Sequence, residues 1–382
     1  MNTRNILAST SRSVRRTLSL ALASSTLALS AASAVPQGAA ARPTHVAGPE
    51  ATDLIARTHG TILTAVAVGG IEALALPSLV ASTPRAPNTG KPTVHALAGP
   101  DAHGRIAFVE NDMLAKRHAL DVLAADGSTT RLFEADGDAL WDHVAGQHVA
   151  VSPDGLRVAL VRDAEGQTCR DPGAYLFEGE LGIWDAESRR ELTTRARVLD
   201  DTLAWFPDGR RVAFTALIPR SDARSMLATQ PEHSDGFGRA TLGWARVAVV
   251  HVLDVETGHA TPLHVGERPT VSTDGRTLVL RDFEQHWRVV DVDTRLSRPF
   301  IAPGAVSPGA IAFVDEHTVL YWALPTAGAT VKYTENNSPL IGKKSMRTLK
   351  LVDLRDGRFQ TVVPYIDPRR KVSFGATLDP KR

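Results

Sequence analysis

The sequence predicts an all-β fold, a six-bladed β-propeller closed by pairing of its C-terminal strand with its N-terminal blade. Three observations carry this expectation. A strand–turn–strand device recurs along the chain, a second hairpin with different turn chemistry follows each copy, and the fragments left over at the two chain ends complete one another. Residues 1–34, 35–57 and 58–382 accordingly read as a signal peptide, a linker and the propeller.

The first device is "VSPDGLRVALV" (151–161), which returns as "LAWFPDGRRVAFTA" (203–216) and "PTVSTDGRTLVL" (269–280). Looser copies are "AIAFVDEHTVLYWA" (310–323) and "VHALAGPDAHGRIAFV" (94–109). Apolar residues alternate with polar ones on both sides, the two-residue period of a strand. Pro presets the first corner of the turn, Asp bonds its own backbone nearby, and Gly accepts the positive φ of a tight hairpin. Recurrence at intervals of roughly 40 to 65 residues is the mark of propeller blades.

Each second hairpin places an Asp near the end of an apolar strand, then a polar turn, then an extended strand. The copies are "DVLAADGSTTRLF" (121–133), "GIWDAESRRELT" (182–193), "HVLDVETGHATPL" (251–263), "VVDVDTRLSRPF" (289–300) and "KLVDLRDGRFQTVV" (350–363). Together the two devices give four-stranded blades over about 92–137, 147–199, 202–266, 268–303 and 309–366. The stretch "HGTILTAVAVGGIEALALPSLVAST" (59–83) then reads as strands b, c and d without a strand a, and "KVSFGAT" (371–377) as a strand a with nothing after it. Joining them makes a sixth blade from both chain ends and removes the open sheet edges. A β-sandwich also repeats strands at such spacing, but it predicts neither units of four nor a split first unit.

The repeat "SPDGxxVA" followed by an apolar strand ending in Asp resembles the TolB-type PD-repeat propeller family. The resemblance covers roughly residues 59–377 and rests best on 151–161, 203–216 and 270–280. It implies a secreted propeller that docks other proteins. The α/β domain that precedes the propeller in the family's namesake has no counterpart expected in the linker at 35–57.

The chain has 382 residues, with 43 basic against 42 acidic side chains. Its basic residues are scattered, which argues against nucleic acid as a partner. Arg4, Arg12, Arg15 and Arg16 form a positive n-region ahead of "LSLALASSTLALSAASA" (18–34), which ends in an Ala-x-Ala cleavage pattern. That apolar stretch is short and weakly apolar for a membrane span, so a cleaved export signal is expected, with no transmembrane segment after cleavage. Cys169 is the only cysteine, so no intramolecular disulfide forms. A bacterial periplasmic or secreted monomer follows as the expectation.

In a propeller the a–b and c–d turns share one face, and the b–c and d–a connections share the other. The long segments 164–180, 219–245 and 324–346 all interrupt b–c. Long loops set on a rigid scaffold are where binding function concentrates. Trp141, Phe237 and Tyr333 lie in predicted loops of that face and, with His143, are the partner-binding candidates. Asp142, Asp200, Asp201 and Glu267, with Arg268, Arg369 and Arg370 as counter-charges, are candidates for the channel rim. Carboxylates with a His can hold a divalent cation, but charged residues also line a channel simply because it is solvated. The chain has no G-x-S-x-G, H-E-x-x-H or P-loop signature, and no catalytic residue, metal ligand or cofactor is assigned. Trp184, Trp205, Trp287 and Trp322 fall on strands and read as core aromatics; His148, His251 and His286 read as structural.

The leading expectation is a non-enzymatic scaffold that binds another envelope protein or polymer. The alternatives are a channel-centred metal-dependent lactonase or lyase, and a small-molecule sensor. Fold alone does not choose among them.

Overall fold

The structure is a computed structural model. It describes residues 49–65, 70–85, 93–101, 103–112, 117–136, 149–162, 178–185, 188, 190–199, 203–228, 246–282, 286–324, 347–366 and 371–376. Within them the strands form six antiparallel sheets of four, a six-bladed β-propeller. Blade 1 joins β1 (Gly60–Ala65), β2 (Ile71–Leu76) and β3 (Val80–Arg85) to β24 (Lys371–Ala376). Blade 2 holds β4 (Thr93–Ala98), β5 (Ile106–Asp112), β6 (Arg117–Leu123) and β7 (Thr129–Asp136). Blade 3 holds β8 (Val149–Val151), β9 (Arg157–Arg162), β10 (Glu178–Asp185) and β11 (Arg190–Leu199). Blade 4 holds β12 (Ala204–Trp205), β13 (Arg211–Pro219), β14 (Arg246–Asp254) and β15 (Ala260–Val265). Blade 5 holds β16 (Glu267–Val271), β17 (Thr277–Arg281), β18 (Trp287–Asp291) and β19 (Ser297–Phe300). Blade 6 holds β20 (Ala305–Phe313), β21 (Thr318–Ala323), β22 (Arg347–Asp353) and β23 (Phe359–Ile366).

The closure expected from the two leftover fragments is present. β24 pairs antiparallel with β1 over six residues, from Gly60↔Ala376 to Ala65↔Lys371. The inner strand of blade 1 therefore comes from the C-terminus and its other three from the N-terminus.

The SPDG turns show why the device recurs. Ser152 N–H donates to the Arg157 carbonyl at 2.9 Å, and Gly155 N–H to the Ser152 carbonyl at 2.8 Å. The Ser152 hydroxyl accepts Arg157 N–H at 2.9 Å and donates to the Asp154 carboxylate at 2.5 Å. Ser272, Asp274 and Thr277 repeat the arrangement with 2.6 and 2.9 Å bonds. In the copy at 206–211 Phe206 replaces the serine, and Asp208 alone gathers Arg210 N–H and Arg211 N–H, at 2.9 and 3.1 Å. Gly275 has φ of 74°, and a Cβ there would also approach Pro207 of the neighbouring turn to 3.0 Å. Glycine is thus required twice over, by conformation and by the closeness of the next blade.

The core lies between blades. Ile183 and Leu181 of blade 3 pack with Trp205, Val212 and Phe214 of blade 4, and each large side chain so buried stabilises the fold by about 1.5–3 kcal/mol. Polar staples cross the same junctions on the turn face. Arg105 reaches the Asp154 carbonyl at 2.9 Å, Arg157 the Gly209 carbonyl at 3.1 Å, and Arg298 the Leu354 carbonyl at 2.8 Å.

Two segments differ from the sequence reading. Part of the expected linker is docked: Glu50 makes a parallel bridge to Phe359, and a short helix, α1 (Leu54–Arg57), follows. Leu54 is fully buried there, Ile55 N–H bonds Gln360 Oε1 at 2.8 Å, and Arg57 bonds Asp353 at 2.7 Å. In blade 4 the b–c insertion begins with a second helix, α2 (Arg220–Ala228), whose Ala223 packs on Val247, Val249 and Val265. No helix among the described residues is long and apolar enough to cross a membrane.

Candidate functional site

The six inner strands leave a central channel, and a cavity of about 320 Å³ occupies its end nearest the a–b turns. The last residues of every inner strand line it. Leu97, Val151, Trp205, Val271, Phe313 and Phe374 each represent one blade. Strand a is the innermost strand, so its free edge faces this space.

The opposite rim is defined by where strands b end and strands c begin. β9 ends at Arg162 and β10 begins at Glu178; α2 ends at Ala228 and β14 begins at Arg246; β21 ends at Ala323 and β22 begins at Arg347. All three long connections therefore leave from one rim, the end of the channel away from the SPDG turns.

Most of the sequence-derived candidates lie outside the described residues. These are Trp141, Asp142, His143, Asp200, Asp201, Phe237, Tyr333, Arg369 and Arg370, together with Cys169 and His148. Glu267 and Arg268 are described, at the start of β16. They are partly buried, and the Arg268 Nε lies 3.8 Å from Glu267 Oε1. Arg268 has φ of 59°, a left-handed conformation uncommon outside glycine, and its N–H donates to Thr215 Oγ1 at 3.2 Å. Neither residue lines the cavity, although the adjoining Pro269 does. Among the described residues, no group of three or more His, Cys, Asp or Glu side chains is placed to hold a metal ion.

The aromatic and histidine readings divide. Trp287 and Trp322 are buried, and Trp184 is partly so. Trp205 is buried too, but it also lines the cavity and donates from Nε1 to the Ala150 carbonyl at 2.9 Å. His251 sits in β14, stacked on Phe214 at 5.5 Å, with Nδ1 3.0 Å from the Val249 carbonyl. Burial pushes its pKa down against the pull of that carbonyl. His286 is exposed, immediately before β18.

The cavity itself escaped the sequence. Its wall is made of ordinary strand residues from six blades, and the one available signal was position: Val151, Trp205, Val271 and Phe313 each immediately precede the first residue of an a–b turn.

No family model matches the chain, and it has no match among curated proteins. Solved structures do resemble it. TolB from Acinetobacter baumannii aligns with a TM-score of 0.52 at 15% identity, over 82% of this chain and 66% of that one. The chain thus spans just under two thirds of that TolB chain. The β-propeller domain of the Trilobed protease from Pyrococcus furiosus aligns at 0.42 and 11% identity, covering 72% and 71%. An oligogalacturonate lyase in complex with manganese aligns at 0.43 and 12% identity, covering 80% and 74%. At such identities the likeness to TolB establishes the fold alone, and the two looser alignments bear on nothing further.

Proposed function

We propose that this TolB-like six-bladed propeller is an exported, non-enzymatic scaffold that docks another envelope protein or polymer through the rim carrying its long b–c connections. The observation that supports the reading is the shared point of departure of those three connections: β9 to β10, α2 to β14 and β21 to β22. Long segments held together on one rim of a rigid scaffold are where binding function concentrates. Residues 1–34 act in this reading as a cleaved signal that delivers the protein to the periplasm. Trp141, Phe237 and Tyr333 are its aromatic anchors, with His143 beside the first.

The test compares two faces of the same purified protein against envelope extract. Replacing Trp141, Phe237 and Tyr333 together by Ala should weaken capture of the bound species, with any hot-spot residue worth ~2 kcal/mol or more. The control on the turn face is Arg210→Ala, whose exposed side chain meets the exposed Glu256 at 2.6 Å. Arg157 is unsuitable as that control because it staples two blades. Loss of the partner by the Arg210 variant, with retention by the aromatic triple, would place the working face on the wrong side. A stoichiometric, tightly held divalent ion in the purified protein would instead favour a channel enzyme. Asp142, Asp200, Asp201 and Glu267 would then be the residues to replace.

A further inference from the structure

The cavity at the turn end of the channel has a composition that specifies a ligand. Asp101 is the one ionisable residue among those lining it. Its carboxylate is fully committed: Oδ1 accepts His103 N–H at 2.7 Å and Arg105 N–H at 2.8 Å, and Oδ2 accepts Arg105 Nε at 2.7 Å. A charged ligand would lose its hydration there without meeting a free counter-charge, which is strongly unfavourable. The remaining wall is mainly aliphatic and aromatic, with Ile311, Trp205 and Phe313 among its larger members.

Polar recognition comes from the backbone. Ser152 N–H bonds the Arg157 carbonyl, so 152 and 157 form a hydrogen-bonded pair of the β8–β9 ladder. Antiparallel pairs alternate, so the N–H and C=O of the adjacent Val151 turn away from β9 and toward the channel. The same step from Phe206–Arg211, Ser272–Thr277 and Val314–Thr318 turns the amide groups of Trp205, Val271 and Phe313 inward. All four of these residues line the cavity. Four blades thus direct a donor and an acceptor each into one space, at equivalent positions of the repeat, and Ser152, Thr270, Ser272, Thr273 and Ser373 add hydroxyl-bearing residues to its wall.

We infer that this end of the channel is a small-molecule site for an uncharged, compact aromatic or alicyclic compound bearing a hydrogen-bonding group. Its volume of about 320 Å³ falls at the small end of ligand pockets, which span about 300–1,000 Å³. Entry is from the SPDG face, between exposed turn residues such as Pro207 and Thr273. The site lies away from the long connections and does not rest on the docking function assigned to them.

Two dyes with one skeleton test it: the neutral N-phenyl-1-naphthylamine and its sulfonated counterpart 8-anilino-1-naphthalenesulfonate. Fluorescence titration of the purified protein should show one saturable site for the neutral dye and affinity at least about tenfold weaker for the sulfonate. Thr273→Trp, on the exposed rim, and Ile311→Trp, in the wall, should each weaken the neutral dye by about tenfold or more. Val80→Ser, on the exposed outer strand of blade 1 and away from the cavity wall, should bind it as wild type does. Absence of a saturable neutral-dye site, equal binding of both dyes, or wild-type affinity in Thr273→Trp would each overturn the assignment. Should Ile311→Trp fail to fold, Thr273→Trp decides alone, because its side chain lies outside the core.

Discussion

Between blades 5 and 6 the contact is built on packed aromatic rings, whereas between blades 1 and 2 an aliphatic core with a single phenylalanine is accompanied by ion pairs. In the first, Trp287 meets Tyr321 edge-on at 5.4 Å and stacks on Phe300 at 6.4 Å, and the Tyr321 hydroxyl donates to the Pro303 carbonyl at 2.9 Å. In the second, Phe108 is the one aromatic of the cluster, and Arg85 crosses from β3 to cover its ring at 4.6 Å. Arg85 also pairs with the buried Glu110 of β5, while Arg131 holds the buried Asp121 at 2.9 Å and lies 3.9 Å from Glu110. The cause is legible in β3, "VASTPR", which is exposed along almost its whole length. An outer strand with so little to bury contributes little apolar area, and its last residue supplies a charge instead. The blade assembled from both chain ends therefore shares an aliphatic core with its neighbour and adds partly solvated arginines paired to buried carboxylates. The aromatic junction is indifferent to salt.

Breaking the aromatic junction has the largest expected effect. Trp287→Ala removes a buried ring and leaves a cavity among side chains that cannot collapse onto it, a loss of about 3–5 kcal/mol. Chemical denaturation should show that loss undiminished in about 1 M salt. A loss under roughly 1 kcal/mol would mean the junction relaxes around the gap.

The ring, the blade boundaries and the split first blade were legible because each rests on local turn chemistry repeated at a fixed spacing. Gly155, Gly209 and Gly275 adopt the positive φ that the repeat implied, at 66°, 65° and 74°. The docked segment at 49–58 was not legible, since one helical turn around Leu54 is too short to display a period. Helix α2 begins directly after a strand that ends in Pro219, and its polar sequence buries Ala223 rather than a stripe of large residues. The cavity was hidden for a different reason. It is built from backbone edges and common apolar residues brought together from six blades, so no chemically distinctive residue marks it. The rim candidates Asp142 and Trp141 show the converse: chemically distinctive residues drew the reading to the d–a end, where the described residues contribute Glu267 and Arg268.

The ionic junction should respond less strongly, and differently. Glu110→Gln keeps the shape but leaves Arg85 and Arg131 facing each other without the carboxylate. Both arginines are partly solvated, which limits the loss to about 1–3 kcal/mol. The same denaturation series in about 1 M salt should shrink that difference in part, because Arg85 and Arg131 are reached by solvent ions while the buried Glu110 is screened much less. A Glu110→Gln deficit as insensitive to salt as that of Trp287→Ala would erase the distinction between the two junctions.

The smallest effect sharpens the comparison within blade 6 itself, where the aromatic junction ends beside a buried carboxylate. Asp353 is fully buried at the end of β22, and it accepts from Arg57 at 2.7 Å and from the Arg355 guanidinium at 2.7 and 3.0 Å. Burial alone would raise its pKa, but the bonds from Arg355 and Arg57 outweigh burial and hold it well below the usual carboxylate range. A carboxyl depressed in the folded state contributes stability that is complete above its unfolded pKa of about 3.9 and is lost as pH falls through the folded value. Asp353→Asn retains an acceptor for the Arg355 backbone N–H but removes the charge, an expected loss of about 1 kcal/mol at neutral pH. Melting temperatures of wild type and variant, measured from neutral pH downward, should therefore stay apart by a constant gap until about pH 4 and converge below it. Trp287→Ala supplies the reference, since no titrating group is changed there and its gap should not close. If the Asp353→Asn gap persists unchanged well below pH 4, hydrogen-bond geometry rather than charge holds α1 to blade 6, and the ionic and aromatic anchorages of this ring are less different than their chemistry implies.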